Sequence, residues 1–335
     1  MRSPRYATLI LLVLILLLAH STVLGDKLPV PIPPIPLKDN TQLAVVGWNG
    51  THEVLILTTV VSVYMPRTER IPLRKTYLME LLPFKSIPEA ERASERIFWM
   101  LGRYFTKFRF FTPIPIKEAR YKGVEIIWER KVGAHQIALV EADSSEDLVK
   151  WAIEYAREYG VPPPSSTQLE EYIRIFDNYM KRGYKYVAVD IVEVKAYSIL
   201  IEPIKYIFKS TCAYYPLKVS NAYRGKAHVR IYLIVKDELD LEPVINMGFR
   251  EIGRVELRYH EILRIDGDLA NLFDENDKVK VILIEYKGDS KFNMDIELRG
   301  PSKEKYYLAL IAFLVPILLI IVPLVLHRRE KIEKA

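Results

Sequence analysis

Residues 43–65 read LAVVGWNGTHEVLILTTVVSVYM, and this stretch decides the fold. Two runs rich in β-branched residues, 43–48 and 54–65, flank the dipeptide Asn49-Gly50. Valine, isoleucine and threonine favour strands, and Asn-Gly between two such runs is a strong hairpin signal. The stretch therefore predicts a β-hairpin with a loop of about five residues.

The rest of residues 41–305 carries more strand signals than helix signals. Apolar residues at helical spacing predict three helices, from Ser86 to Phe105, from Ser144 or Ser145 to Tyr159, and from Thr167 to about Gly183. Strands are predicted at 75–82, 124–130, 136–142, 184–194, 199–209, 228–235, 254–259, 279–286 and 292–298. Because strands outnumber helices and do not alternate with them, we expect an α+β fold with a mainly antiparallel or mixed sheet.

Both ends of the chain indicate a membrane protein. Residues 306–326 are uncharged and almost wholly apolar, and His327 and Arg328 follow them directly. About twenty apolar residues are needed for a helix to cross the hydrocarbon core of a bilayer. We therefore predict one C-terminal transmembrane helix at 306–326, with the lipid bilayer as its partner and 327–335 as a cytoplasmic tail.

The N-terminus predicts export. Arg2 and Arg5 precede a short aliphatic run, and the small residues that follow resemble a cleavage site, which together are typical of a signal peptide over 1–25. A proline-rich spacer is predicted at 26–40, an ectodomain core at 41–237 and a membrane-proximal β-rich extension at 238–305. Localisation is then the cell membrane, with the N-terminal ectodomain outside; whether the signal peptide is cleaved stays open.

Charge and composition exclude some classes of function. Of 48 Lys and Arg residues and 42 Asp and Glu residues, six and two respectively lie outside 26–305, which leaves that region a net charge of +2. A nucleic-acid-binding domain needs a concentrated basic face, so no nucleic-acid partner is expected. Glutamine is scarce while Lys, Glu, Ile and Tyr are abundant, a composition typical of thermophilic organisms, so an archaeal surface protein would fit.

Cys212 is the only cysteine, so the exported region contains no internal disulfide. It lies in an apolar stretch, which favours a small buried hydrophobic residue over a catalytic thiol. Neither a metal site nor a cofactor site is predicted, because the histidines lack metal-ligand spacing and no dinucleotide or phosphate-loop motif occurs.

Several segments between about residues 77 and 235 occur in a familiar order. They are LPFKSIPE (82–89), HQIALVEAD (135–143), YGVP (159–162), KRGYKYVA (181–188), IEPI (201–204) and FKS (208–210), followed by YPLKVS (215–220). This order resembles the family called domain of unknown function 2330. The resemblance implies an exported or membrane-anchored prokaryotic protein without an assigned activity, and it implies no site residues. The chain differs from the family pattern in lacking cysteines near the mature N-terminus.

Candidate functional residues are few. His135 and Asp143 form the pair that we would test as a catalytic dyad, and the alternative is that neither is catalytic. Tyr214 and Tyr215 are candidates for a sugar-binding or peptide-binding surface, because tyrosine combines a large contact area with a polar tip. Asn49-Gly50-Thr51 is a glycosylation sequon at a turn, which makes Asn49 a candidate acceptor.

The sequence leaves three functions open. The first is a non-enzymatic binding or assembly module at the cell surface, favoured by the predicted anchor and the missing catalytic motifs. The second is an accessory subunit of a membrane transport or secretion complex, which would use a membrane-protein partner. The third is an extracytoplasmic hydrolase. The sequence alone leans away from an enzyme but does not decide the question.

Overall fold

The computed structural model describes residues 37–63, 76–105, 125–161, 163–194, 199–222 and 225–301. The strands are β1 (Leu37–Trp48), β2 (His52–Val63), β3 (Thr76–Phe84), β4 (Glu89–Arg92), β5 (Glu125–Val132), β6 (His135–Glu141), β7 (Tyr186–Val194), β8 (Ile199–Leu200), β9 (Ile204–Lys209), β10 (Ala213–Tyr215), β11 (Lys226–Val235), β12 (Arg250–Arg258), β13 (Lys278–Asp289) and β14 (Ile296–Leu298). The helices are α1 (Arg96–Phe105), α2 (Ser145–Glu158), α3 (Ser166–Lys181), α4 (Glu242–Asn246), α5 (Tyr259–Ile265) and α6 (Gly267–Ala270), with a 3-10 helix at Lys218–Ala222.

The strands form a large sheet, a small sheet and one separate pair. The large sheet has the order β12-β13-β11-β1-β2-β9-β4, and β8 also pairs with β2. Only its β1–β11 pairing is parallel among the described strands. The small sheet, β3-β7-β6-β5, is antiparallel, and so is the pair β10-β14. The predicted α+β fold with a mainly antiparallel or mixed sheet is confirmed.

The large sheet has apolar side chains on both faces. Successive residues of a strand point to opposite faces. Accordingly, Leu43 and Val45 of β1 belong to an apolar cluster with α1, α5 and α6, whereas Ala44 and Val46 belong to a cluster with the small sheet, α2 and α3. The two sheets therefore lie between two layers of helices.

The predicted hairpin is present as β1 and β2. Trp48 pairs with Glu53, and the loop between the strands contains three residues rather than about five. The Asn49 side chain accepts hydrogen bonds from the backbone N–H groups of Thr51 (3.0 Å) and His52 (2.8 Å), while Gly50 has a φ of 101°. Asparagine and glycine thus fix the turn by side-chain bonding and by a left-handed backbone, respectively.

The helix predicted from Ser86 begins ten residues later. Glu89–Arg92 forms strand β4 on the edge of the large sheet, paired with β9, and α1 begins at Arg96. The Ser86 hydroxyl donates to the carbonyl oxygen of Lys209 (2.8 Å) instead of capping a helix. In β4 Ala90 is buried and its neighbours are exposed. One apolar position in four residues is compatible with a strand as well as with a helix, so the pattern did not distinguish the two.

The other two predicted helices are present as α2 and α3. Ser144 caps α2, accepting from the backbone N–H of Asp147 at 3.0 Å. The capping box of α3 is formed by Ser165 and Gln168, so its N-cap lies two residues before the predicted helix start at Thr167. Helices α4, α5 and α6 were not predicted; they contain five, seven and four residues, too few for a helical period to show.

The predicted boundary between the ectodomain core (41–237) and the membrane-proximal extension (238–305) does not separate two sheets. Strand β11 pairs with β13 across the predicted limit at 237 and 238, and β10 pairs with β14. Residues 37–40, predicted as spacer, belong to β1.

Two of the predicted terminal segments lie outside the described residues: the signal peptide (1–25) and the transmembrane helix with its tail (306–335). Within the part of the chain that the structure describes, no helix has the length and apolar character to span a bilayer.

Candidate functional site

A small cavity opens beside the β1–β2 hairpin. Its volume is about 330 Å³, and we call it the aromatic pocket. Its main lining residues are Lys85, Tyr184, Phe208, Lys209, Cys212 and Tyr214, with Thr51 and Thr211 at its edge. This volume falls at the lower end of the range for small-molecule sites, roughly 300–1,000 Å³.

Three separate parts of the chain supply the walls of this pocket. Lys85 directly follows β3, Tyr184 precedes β7, and Phe208 is the second-to-last residue of β9. These three residues belong to the segments 82–89, 181–188 and 208–210, on which the family resemblance rests. Segments that are far apart in the sequence therefore meet at one cavity.

The backbone around the aromatic pocket is fixed by hydrogen bonds from three directions. The N–H of Ser210 donates to the carbonyl of Thr51 (2.9 Å), and the indole N–H of Trp48 donates to the carbonyl of Ser210 (3.0 Å). The Ser210 hydroxyl in turn donates to the carbonyl of Cys212 (2.5 Å). A wall fixed in this way is pre-formed, which lowers the entropic cost of binding a ligand.

The rim of the pocket is basic. The Lys85 ammonium lies over the Tyr184 ring, 4.6 Å from its centroid, in a cation–π contact. Lys209 is the second cation in the lining, and the described residues of the lining include no carboxylate. The Tyr184 hydroxyl donates to Glu297 (2.6 Å), and burial together with this bond raises the pKa of the phenol. An anion would find two ammonium groups in the described lining, and the nearby acid, Glu297, lies behind the Tyr184 hydroxyl.

Cys212 is the nucleophilic side chain of the pocket wall, and it is not activated. Burial raises its pKa to about 11, and the charges of Glu297 and Glu53 contribute in the same direction. Only the thiolate is a nucleophile, so at neutral pH the thiol is inactive. The prediction of a small buried hydrophobic residue is confirmed, because Cys212 is 5% exposed.

Glu53 lies behind the pocket and is completely buried. One carboxyl oxygen accepts from the backbone N–H of Tyr214 (2.7 Å), and the other has no hydrogen-bond partner among the described residues. Burial raises the pKa of Glu53 well above its usual value, although the bond from Tyr214 opposes this. Burial therefore favours the neutral form of the carboxyl group behind the pocket.

A network of ion pairs and hydrogen bonds contacts the Tyr184 wall of the aromatic pocket. Asp295 is 1% exposed and accepts from Arg182 (2.8 Å), from the Tyr179 hydroxyl (2.6 Å) and from the backbone N–H of Lys218 (2.9 Å). Arg182 also donates to Glu297, the acceptor of Tyr184. The network thus joins the end of α3, the 3-10 helix and β14 to a wall of the aromatic pocket.

Tyr214 and Tyr215 are not on the surface, which corrects the sequence-based prediction. They are 3% and 2% exposed. The Tyr214 hydroxyl donates to the carbonyl of Pro83 (3.1 Å) and that of Tyr215 to Gln42 (2.9 Å). Both are core residues of β10, a strand of three residues that is too short to reveal its buried faces by periodicity. Tyr214 nevertheless contributes to the pocket lining.

His135 does not pair with Asp143, contrary to the tested hypothesis. His135 begins β6 and Asp143 lies two residues beyond its end, and a strand rises roughly 3.3 Å for each residue. His135 is 1% exposed; its Nδ1 contacts Asp190 Oδ2 (2.7 Å), and its Nε2 contacts the carbonyl oxygen of Glu202 (2.6 Å). Asp143 is exposed. Both ring nitrogens are engaged, so this histidine joins the two sheets and has no nitrogen left for a substrate.

Asn49 is exposed on the hairpin loop, and its neighbours Gly50 and Thr51 line the edge of the aromatic pocket. The candidate glycosylation residue is thus placed next to the pocket entrance. Among the described residues, no group of three or more His, Cys, Asp or Glu side chains is arranged to hold a metal ion.

The fold and the site define an α+β protein with a pre-formed, basic-rimmed pocket whose thiol, Cys212, is not activated. The chain belongs to the family of uncharacterized proteins conserved in bacteria that is called domain of unknown function 2330, whose model matches residues 115–297. The match extends to Glu297, beyond residue 235 where the resemblance noted above ended. It therefore includes Asp295 and Glu297, the two carboxylates that support the pocket wall.

The comparison with curated proteins found no match. Among solved structures, the chain is similar to a mutated baculovirus P35 after caspase cleavage, with 7% sequence identity and a TM-score of 0.36. The similarity covers 78% of this chain and 99% of that chain. A likeness at this level carries no functional argument.

Proposed function

We propose that the protein is a non-enzymatic binding protein of the cell surface, anchored by residues 306–326, whose aromatic pocket holds a small ligand. The observation that supports this most strongly is the combination of a rigid cavity of about 330 Å³ with aromatic walls and a basic rim. Ligand sites typically combine apolar walls with a few placed polar groups.

The lining indicates the chemical class of the ligand. Phe208, Tyr184 and Tyr214 offer apolar and aromatic surface, while Lys85 and Lys209 offer positive charge at the entrance. A small aromatic or aliphatic carboxylate would satisfy both features, with its apolar part in the pocket and its carboxylate at the rim. Anions larger than the cavity would be excluded by size.

The same residues favour binding over catalysis. The Cys212 thiol is protonated at neutral pH, because its pKa is about 11. His135, the histidine proposed for a catalytic role, is buried and bonded at both ring nitrogens. Neither candidate can act as a nucleophile or a base toward a bound ligand without rearrangement.

The binding proposal is tested with the full-length protein in a mild nonionic detergent. Ligand-observed NMR with phenylacetate as the probe would show binding to the wild type. Thr211→Trp places a large side chain at the exposed edge of the pocket and should abolish the signal. Thr167→Trp, at an exposed position in α3, is the matched control and should retain it. Binding that survives Thr211→Trp would rule out this pocket.

Surface location is proposed from the predicted signal peptide, the predicted span and the sequon at Asn49. Because Cys212 is buried and protonated, Asn49→Cys adds a cysteine that is reactive and exposed. In intact cells a membrane-impermeant maleimide should label Asn49→Cys but not Ala335→Cys in the predicted cytoplasmic tail. Labelling of Ala335→Cys alone would reverse the proposed orientation.

A further inference from the structure

A second concave surface lies on the other side of the Arg182–Asp295 network. It is a groove of about 1050 Å³ between α3 and the ends of β11 and β13, and we call it the basic groove. Five cationic side chains line it: Arg174, Lys181, Lys218, Lys226 and Lys291. The lining contains three acids, Glu171, Asp177 and Asp289.

Each acid in the groove already has a cationic partner. Arg174 donates two hydrogen bonds to Glu171, at 3.2 and 2.5 Å. Lys181 pairs with Asp177 at 2.7 Å and Lys226 with Asp289 at 2.6 Å. After these pairings, Lys218 and Lys291 remain as cations without a carboxylate in ion-pair contact among the described residues.

Lys218 is the more constrained of these two lysines. Its ammonium group donates to the side-chain oxygen of Asn178 (2.7 Å), a neutral partner. The charge of Asp295 acts on the Lys218 ammonium group. However, the Asp295 carboxylate already accepts hydrogen bonds from Arg182, Tyr179 and the backbone N–H of Lys218. Burial lowers the pKa of Lys218, and the charges of Arg182 and Arg174 add to this effect against Asp295. A bound anion would relieve this excess of positive charge.

Lys291 is exposed on the opposite wall of the groove. It acts on Asp289, whose pKa is lowered first by its hydrogen bond from Lys226 and also by the charge of Lys291. The ion-pair contact of Asp289 is with Lys226, and Lys291 acts on it only through its charge. Counted over the described residues, the lining of the groove has two more cations than acids.

We infer that the basic groove binds a small organic dianion, with one oxyanion at Lys218 and a second near Lys291. Among the described residues of the lining, the one arginine, Arg174, is occupied by Glu171, so the donors available there are ammonium groups acting as point charges. Dicarboxylates and phosphate monoesters share this chemistry. The groove is distinct from the aromatic pocket, because the two linings have no residue in common.

The test uses the full-length protein at low ionic strength, titrated by calorimetry with succinate and, separately, with inorganic phosphate. Binding of either anion is expected, and the tighter of the two identifies the source of the oxyanion. Lys218→Met should weaken binding at least tenfold, whereas Lys218→Arg, which keeps the charge, should weaken it less. Lys236→Met removes an equal charge outside the groove, where Lys236 pairs with Asp277, and should change the affinity less than twofold.

A second variant, Lys291→Met, keeps the inference testable if Lys218→Met fails to fold, and it too should weaken binding. Raising the salt concentration should weaken binding as well, because exposed charges are screened. Failure of both anions to bind the wild type, or equal affinities of Lys218→Met and the wild type, would overturn the inference. Retained binding in Thr211→Trp would separate this site from the aromatic pocket.

Discussion

The aromatic pocket and the basic groove each contain a potential nucleophile, and burial shifts the two in opposite directions. In the pocket, burial raises the pKa of Cys212 to about 11 and keeps it protonated. In the groove, burial lowers the pKa of Lys218 and favours its neutral amine. Burial disfavours the charged form of either group, but the charged form of a thiol is the nucleophile and that of a lysine is not.

The difference teaches that the two sites suit different partners. The walls of the pocket are formed by Tyr184, Phe208, Tyr214 and the protonated thiol of Cys212, so inside its basic rim the pocket accepts the apolar part of a ligand. The groove holds lysines that lack carboxylate partners, so it accepts negative charge. The Arg182–Asp295–Glu297 network lies between them and contacts both.

The largest effect is expected from the buried network. Asp295→Ala would leave Arg182 and the Tyr179 hydroxyl without their acceptor, and breaking a buried pair in this way costs about 3–5 kcal/mol. Asp289→Ala removes an exposed pair with Lys226 and should destabilise the protein far less, because exposed ion pairs contribute little. Denaturant unfolding measures both. Similar small losses for the two variants would show that the network does not support the sites.

A slightly smaller effect on stability is expected at Glu285, where charged partners outweigh the effect of burial on the pKa. Burial opposes ionisation of Glu285, but bonds from His228 (2.9 Å) and Arg230 (2.7 Å) hold its pKa at about 2. A carboxyl group with a lowered folded-state pKa stabilises the protein above its unfolded-state pKa and loses this contribution as the pH falls. Stability should therefore fall by roughly 3 kcal/mol between about pH 5 and pH 2.

His228 adds to this acid sensitivity. Burial lowers its pKa despite the bond to Glu285, so the unfolded chain takes up a proton near pH 6.5 before the folded chain does. Stability should begin to fall as the pH drops through about 6.5. Glu285→Gln should flatten the pH dependence of the unfolding free energy below pH 5. Glu275→Gln, at an exposed position, should not, and an unchanged slope in Glu285→Gln would refute the assignment.

The next effect concerns the reactivity of Cys212. A pKa of about 11 instead of 9.0 reduces the thiolate fraction at neutral pH roughly 100-fold. Iodoacetamide should therefore alkylate the folded protein at least 100-fold more slowly than the unfolded protein at pH 7.5. The rate is measured by mass spectrometry of the intact chain. Comparable rates in the two states would mean that the thiol is accessible and ionised, and the argument against catalysis would fail.

The smallest effect concerns Lys218 and Lys226 in the groove. The pKa of Lys218 is lowered by burial, whereas the pKa of Lys226 is raised by its hydrogen bond to Asp289. Under limiting acetic anhydride at pH 8, Lys218 should be acetylated several-fold faster, since the neutral amine is the reactive form. Peptide mass spectrometry gives the ratio. Preferential acetylation of Lys226 would remove the proposed difference between the two lysines.

Local features of the fold were predictable, because local sequence determines them. Asn49-Gly50 fixes the first hairpin, Gly133 adopts a φ of 60° between β5 and β6, and Ser144 caps α2. Strand β4 was missed because its pairing with β9 joins segments more than a hundred residues apart, and a four-residue edge strand has too little periodicity of its own.

The candidate sites were less predictable, because their contacts are long-range. Asp190 lies 55 residues from His135, and Asp295 lies 113 residues from Arg182. The nearer Asp143 was a reasonable partner for His135 by sequence alone, but a strand places its two ends far apart. One usable signal existed: three segments of the family resemblance contain Lys85, Tyr184 and Phe208, which line the aromatic pocket.

The most direct test of the account measures both ligands on the same three proteins. Phenylacetate and succinate are titrated into the full-length wild type, Thr211→Trp and Lys218→Met. We expect Thr211→Trp to lose phenylacetate and keep succinate, and Lys218→Met to do the reverse. Loss of both ligands in either variant, or of neither ligand in both variants, would contradict the conclusion that the protein contains two separate binding sites.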